Sequence, residues 1–433
     1  MKRILLALTC LLFVFSCKSR QVASEMTSAK DNFEEVVGNH QWSYDGYLVV
    51  NNNHFVRFLL KKENNSDHLI LQNGQEEIVI TDFQITADSI HMVLPVFYSR
   101  IDAKISGSKL EGNWLKYPGA EKEYKMHFRA FSRNQNVIIP KKYSDYDLEV
   151  AATGKETASL AGKWKVDFSP DSEDHYPAIG EFQQDGQNIS GTFLTETGDY
   201  RFLSGKIYGD KFHLSTFDGS HAFLFEGTFL SEKEIKGKFY SGTHWSEPFV
   251  ARLDPDVQLG DPYELTYLNE GFERFDFSFT DVETQKTVSL NDSRFDNKVV
   301  LVQIFGSWCP NCMDESVLYA ELSGQYKAKG LEVVGIAFER SENLDEKTTE
   351  LLKRYQSHFG INYPILFGGK ASKKFAAEQF PMLNHVMSFP TSIIIDKKKN
   401  VREIHTGFNG PATSGYSNFV SDLTKKLEGL LDE

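Results

Sequence analysis

VVLVQIFGSWCPNC, residues 299–312, is the stretch whose reading decides the fold. Val299–Phe305 is an apolar run of strand length broken only by Gln303, the pattern of a strand buried on both faces. From Pro310 to about Lys329 the pattern changes to helix. A Cys-x-x-Cys between such a strand and such a helix reads as a redox dithiol. The placement has a physical reason. At a helix N-terminus, unpaired backbone N–H groups and the macrodipole stabilise a thiolate on Cys309. Two intervening residues let Cys312 turn back to the first sulfur. Pro310 fits the first helical turn, where its missing N–H costs nothing.

Trp308-Cys309-x-x-Cys312 after an apolar strand, together with Phe389-Pro390-Thr391 before another, resembles the thioredoxin-like superfamily. Within it, Cys309-x-x-Cys312-x-x-Glu315 resembles the TlpA-type, membrane-anchored thiol–disulfide oxidoreductases. The resemblance covers about Phe275 to Glu433. It implies an α/β thioredoxin-like domain, with an extra hairpin at Asp276–Thr280 and Thr287–Leu290. It implies Cys309 as attacking thiol and Cys312 as resolving thiol. It also implies a cis Pro390 opposite them that presents the Phe389 backbone to substrate, and Trp308 shaping the docking surface. Thioredoxins place a buried acid six residues before the first Cys. Here that position is Gln303, which cannot titrate, so Glu315 is the candidate proton acceptor for Cys312. Two departures stand out. The dipeptide is Pro-Asn, which bears on the redox potential, and Ser316-Val317 replaces the x-Pro that often follows this Glu in relatives.

Further elements are expected beyond the helix that follows Trp308-Cys309. They are strand Leu331–Phe338, helix Asn343–Phe359, strand Pro364–Phe367 and helix Ala371–Phe380, then strands Thr391–Asp396 and Val401–Thr406 and helix Ser414–Leu431.

The N-terminus reads as a targeting segment. Lys2 and Arg3 precede the apolar run Ile4–Phe15, too short to span a bilayer comfortably. Val14-Phe15-Ser16-Cys17 resembles a bacterial lipobox, which implies lipidation of Cys17. Phe15 is bulky for such a motif, and an ordinary secretory leader is the alternative. The chain has four cysteines: Cys10, Cys17, Cys309 and Cys312. With the leader removed and Cys17 acylated, the only thiols left are the pair. Zinc would need two further ligands, and no second Cys pair supplies them. No cofactor or metal is expected. A formal charge of −13 argues against a nucleic-acid partner. The expected partners are disulfide-containing envelope proteins and a membrane thiol donor. The expected location is the cell envelope, lipid-anchored and facing the periplasm. Lys18 after the anchor favours the outer membrane.

Between leader and redox domain the pattern is short alternating strands separated by turn residues. Two stretches match in order. Trp42 and Trp164 are each followed 46 positions later by Asp-x-x-His, at Asp88–His91 and Asp210–His213. Leu110-Glu-Gly112 then faces Ile235-Lys-Gly237, three residues late, which requires a small insertion in the second copy. The reading is duplication, in two mostly antiparallel β modules, each a small barrel or sandwich or both packed as one. His91 and His213 read as a shared packing or hydrogen-bonding pair rather than metal ligands, and His221 as a residue at a solvated turn tip, with contact to a partner or ligand as the alternative. The expected divisions are a signal peptide (1–16), a tether (17–37), β module 1 (38–135), β module 2 (160–255) and the thioredoxin-like domain (270–433). Three function classes follow. They are a disulfide reductase of the envelope, an envelope binding protein using the β modules with subordinate redox chemistry, and a thiol peroxidase. The last fits poorly, because the residues before Cys309 lack the Pro-x-x-x-Thr-x-x-Cys context.

Overall fold

The computed structural model describes residues 41–433 apart from 52–53, 118–122, 134–138, 144, 146–148, 150–151 and 155. The leader, Cys17 and the tether lie outside the described residues. No helix among the described residues is long and apolar enough to cross a membrane. The chain divides into two compact units. One holds most of residues 41–144, and the other holds residues 145–433 together with the short segments 73–76 and 96–98.

The first unit is built on a nine-stranded antiparallel sheet. Its opening strand, Trp42–Asn51, alternates buried and half-buried residues over much of its length. That strand pairs on one side with His54–Lys62 and on the other with the closing strand, Tyr124–Ser132. Trp42, Leu48, Leu60, Trp114 and Phe128 lie in its interior.

The second unit contains two sheets. One is again nine-stranded, and its opening strand Gly162–Phe168 again pairs with the next strand, Tyr176–Asp185, and with the last, Trp245–Leu253. Here Tyr176–Asp185 also pairs with Asn188–Thr195, which closes the sheet into a barrel. The core is dense in aromatics: Phe168, Phe193, Phe225, Phe239 and Phe249 pack ring on ring at centroid distances of 4.5–6.4 Å. Rings of this size fill a small barrel with few side chains.

The other sheet has seven strands. Its central strand, Val299–Phe305, is buried at every position. It runs parallel to Leu331–Glu339 and antiparallel to Thr391–Ile395. Leu331–Glu339 in turn runs parallel to Ile365–Lys370. The hairpin Ser278–Asp281 and Thr287–Ser289 extends one edge, and Val401–Thr406 forms the other. Helices Pro310–Tyr326, Glu346–His358, Lys373–Gln379 and Tyr416–Asp432 complete the α/β layering.

Local chemistry sets the element ends. Asp345 caps the second helix by accepting from the Thr348 N–H at 2.7 Å, so that helix starts at Glu346 rather than at Asn343. The first helix ends at Tyr326, not Lys329. Lys327–Lys329 tightens into a 3-10 turn closed by Gly330 at φ +106°. The two strand histidines do not share a role. His91 is exposed and its Nδ1 lies 2.9 Å from Asp102, whereas His213 is buried 3.9 Å from Asp145. No metal-holding cluster occurs among the described residues.

Candidate active site

The buried strand ends at Phe305, and after a short turn Cys309 caps the helix that follows. Its Sγ accepts the Cys312 N–H at 3.3 Å, so the helix N-terminus points at this sulfur. Cys309 and Cys312 are joined as a disulfide with Cα atoms 5.2 Å apart. Cys309 is 6% exposed and Cys312 is 0% exposed. The Phe389–Pro390 bond is cis. It sets the Phe389 carbonyl 3.3 Å from the Cys309 sulfur. Trp308 donates its indole N–H to the Phe338 carbonyl at 2.9 Å, and its ring meets Phe389 edge-on at 5.6 Å.

Behind the dithiol, Glu315 is wholly buried. Its carboxylate accepts from Gln303 Nε2 at 2.9 Å, from Ser392 Oγ at 2.7 Å and from Tyr319 Oη at 3.1 Å. Burial pushes its pKa up to about 7, against the lowering effect of those hydrogen bonds. Gln303 also donates to the Cys312 carbonyl at 3.1 Å, and its own carbonyl accepts from Ser316 Oγ. The one polar side chain in the apolar strand thus ties the acid to the backbone of the second cysteine. A carboxyl with a pKa near neutrality can take up or release a proton at working pH.

Sequence reasoning missed two further acids beside the site, Glu339 buried and Asp314 partly buried. Glu339, at the end of its strand, accepts from the Ser307 N–H at 2.8 Å and the Ser307 hydroxyl at 2.9 Å, and so fixes the turn before Trp308. Burial raises its pKa to about 7. Asp314, two positions after Cys312, meets Arg201 of the barrel at 2.5 Å, and burial raises its pKa to about 7 as well. Arg201 also donates to the Pro310 carbonyl at 3.1 Å. It pairs in addition with Glu76 of the 73–76 segment. An acidic residue at the end of a buried strand was the available signal for Glu339. Nothing local signals Arg201.

A cavity of about 460 Å³ opens over Cys309. Trp308, Cys309, Pro310, Asn311 and Phe389 form one wall, and the barrel residues Tyr176, Tyr200, His221 and Phe223 form the other. His221, expected at a solvated tip, instead lines this cavity. Its Nδ1 lies 3.1 Å from Asp218, and its ring stacks on Phe223 at 5.0 Å. The arrangement offers one sulfur to an incoming disulfide, a second sulfur behind it, and a titratable acid behind that.

The Redoxin family profile matches residues 273–420. The thioredoxin-like protein YneN of Bacillus subtilis is 29% identical over 140 residues, covering 32% of this chain and 73% of that protein. The thiol–disulfide oxidoreductase ResA of Bacillus thuringiensis subsp. konkukian is 30% identical over 138 residues, covering 31% of this chain and 68% of ResA. A solved thiol:disulfide interchange protein of Chlorobium tepidum is 22% identical, covers 38% of this chain and 98% of its own, and has a TM-score of 0.29.

Proposed function

Since this chain belongs to the thiol–disulfide oxidoreductase family that includes ResA, we propose that it reduces disulfides of proteins in the bacterial cell envelope through Cys309 and Cys312. The observation that carries the reading is the stacking of Cys309, Cys312 and Glu315 from cavity to core. The Cys309 thiolate attacks one sulfur of a substrate disulfide, and the other substrate sulfur leaves as thiolate. Cys312 gives its proton to the Glu315 carboxylate and attacks Cys309. The second substrate thiolate departs, and Cys309 and Cys312 are left as the disulfide. Two electrons pass to the substrate, and a membrane thiol donor restores the dithiol. Phe389 and Trp308 border the incoming sulfur, and Pro390 holds the Phe389 carbonyl beside Cys309.

The remaining assignments belong to the same proposal. Cys17 carries the lipid, which anchors the chain facing the periplasm, on the outer membrane. The two nine-stranded sheets are a duplication, one module ending near 135 and the other near 255, with the redox domain following from about 270. Trp42 and Trp164 fall on the first strand of their sheets, His91 and His213 on the sixth, and Gly112 and Gly237 on the eighth, which supports this.

Cys312→Ala tests the reading. Without the resolving thiol, Cys309 stays joined to its substrates. Reducible adducts are expected in cells carrying the single variant and not in a Cys309→Ala, Cys312→Ala double variant. Mass spectrometry of the adducts names the substrates. Equal adduct in both variants removes Cys309 as the nucleophile.

A further inference from the structure

On the proposed reductase reading, we infer that the barrel supplies half of the substrate site. The cleft between barrel and dithiol takes an extended polypeptide segment whose disulfide cysteine has an apolar neighbour. The barrel loop Thr195–Arg201 reaches the redox site at several points. Ser388, two residues before Pro390, donates to the Thr197 carbonyl at 2.8 Å. Asp199 accepts the Gly410 N–H at 2.6 Å. Arg201 holds Pro310 and Asp314 from the same loop. Gly198, at φ +141°, passes so close to the dithiol helix that a Cβ there would lie 2.8 Å from the Asn311 side chain. Gly407, at φ +75°, likewise leaves no room for a Cβ beside the backbone of Thr197. These contacts fix the barrel wall in place, so the cleft is a built feature of the fold.

The chemistry of the wall points to the occupant. Tyr176 and Tyr200 bond to each other at 3.0 Å, and Tyr176 donates to Glu247 at 2.8 Å, so their hydroxyls are already satisfied within the barrel. Phe223 and Phe389 add further ring surface. The charged lining is mixed, Glu196 and Asp218 standing with Lys373 and Arg201, so the ring surface rather than charge sets the preference for an apolar neighbour. At about 460 Å³ the cleft is of small-ligand size and holds a short segment of chain rather than a folded surface.

The test uses the full chain, reduced, with two unstructured disulfide peptides that differ only in Leu or Asp beside each cysteine. The Leu peptide is expected to be reduced with a kcat/KM about tenfold higher. Phe223→Ala is expected to cut that ratio to about twofold, and His221→Ala, on the half-exposed rim, to reduce it in the same direction. The His221 variant carries the test if the Phe223 variant does not fold. A folded protein with a surface disulfide is expected to react at about one-tenth the peptide rate or less. An unchanged Leu/Asp ratio in the folded variants, or equal rates for peptide and folded protein, overturns the cleft assignment and leaves the reductase reading standing. Failure of the wild type to reduce either peptide overturns both.

Discussion

Replacing Glu315 with Gln isolates the energetic consequence of burying an ionisable group behind the dithiol. In the oxidised protein its carboxyl is raised from an ordinary 4.5 to about 7, chiefly by burial. The sign follows from linkage. The folded state holds this proton between pH 4.5 and 7 while the unfolded state has released it, so stability falls as pH rises through that window. The penalty is absent below about pH 4.5 and complete above about pH 7, and it amounts to about 3 kcal/mol. The amide removes this dependence. It also introduces a donor beside Gln303 Nε2, whose partner oxygen it replaces, at a cost of about 1–3 kcal/mol. That cost does not vary with pH, so it cancels when the mutational effect at pH 8 is compared with that at pH 5. Contributions of Glu339 and Asp314 cancel in the same comparison. Urea denaturation of the oxidised protein, read by hydrogen exchange in the Pro310–Tyr326 helix, gives both values. The variant is expected to gain about 2–3 kcal/mol on its parent between pH 5 and pH 8. A difference under about 1 kcal/mol would refute the claim that Glu315 is ionised at a cost.

Three other outcomes are expected. Arg201→Met strips the partly buried Asp314 of its cation and should destabilise the second unit by about 3 kcal/mol, measured by denaturant. The loss should be larger at pH 8 than at pH 5, because an unpaired Asp314 can be neutralised by protonation at the lower pH. Glu339→Gln should flatten the pH dependence as Glu315→Gln does, since its carboxyl is also raised to about 7; it should slow substrate reduction only through the Ser307 turn, with kcat/KM falling less than about tenfold. Cys17→Ala should abolish fatty-acid incorporation and release the processed protein to the soluble fraction. Labelling that persists in the variant excludes Cys17 as the lipid site.

The redox domain was legible because its signals are local. A seven-residue run, apolar except at Gln303, announces a central strand, and a Cys-x-x-Cys at its end announces the helix cap. Glu315 was legible as a spacing, three positions beyond Cys312. Its burial was not, because the groups that hold it come from Gln303, Tyr319 and Ser392, the last of them 77 positions away. The partners of Asp314 and of Ser388 lie 113 and 191 positions away, and no periodicity encodes such pairings. His221 shows the converse error. Asp218-Gly-Ser-His is a turn sequence, and the Asp218 side chain accepts the Ser220 and His221 N–H groups as such a turn requires. Turn chemistry fixes the backbone locally, and only the tertiary fold determines that this turn faces the dithiol.

The unequal exposure of the two sulfurs has a kinetic consequence. Cys309 retains 6% exposure while Cys312 has none, so a single sulfur is open to partners. On the proposed reductase reading, the donor that recharges the protein and the substrate that discharges it must therefore address the same atom through the same opening. They cannot be bound together. Turnover must alternate between two half-reactions, with parallel rather than converging double-reciprocal plots. An excess of either partner should inhibit the other by occupying the opening out of turn.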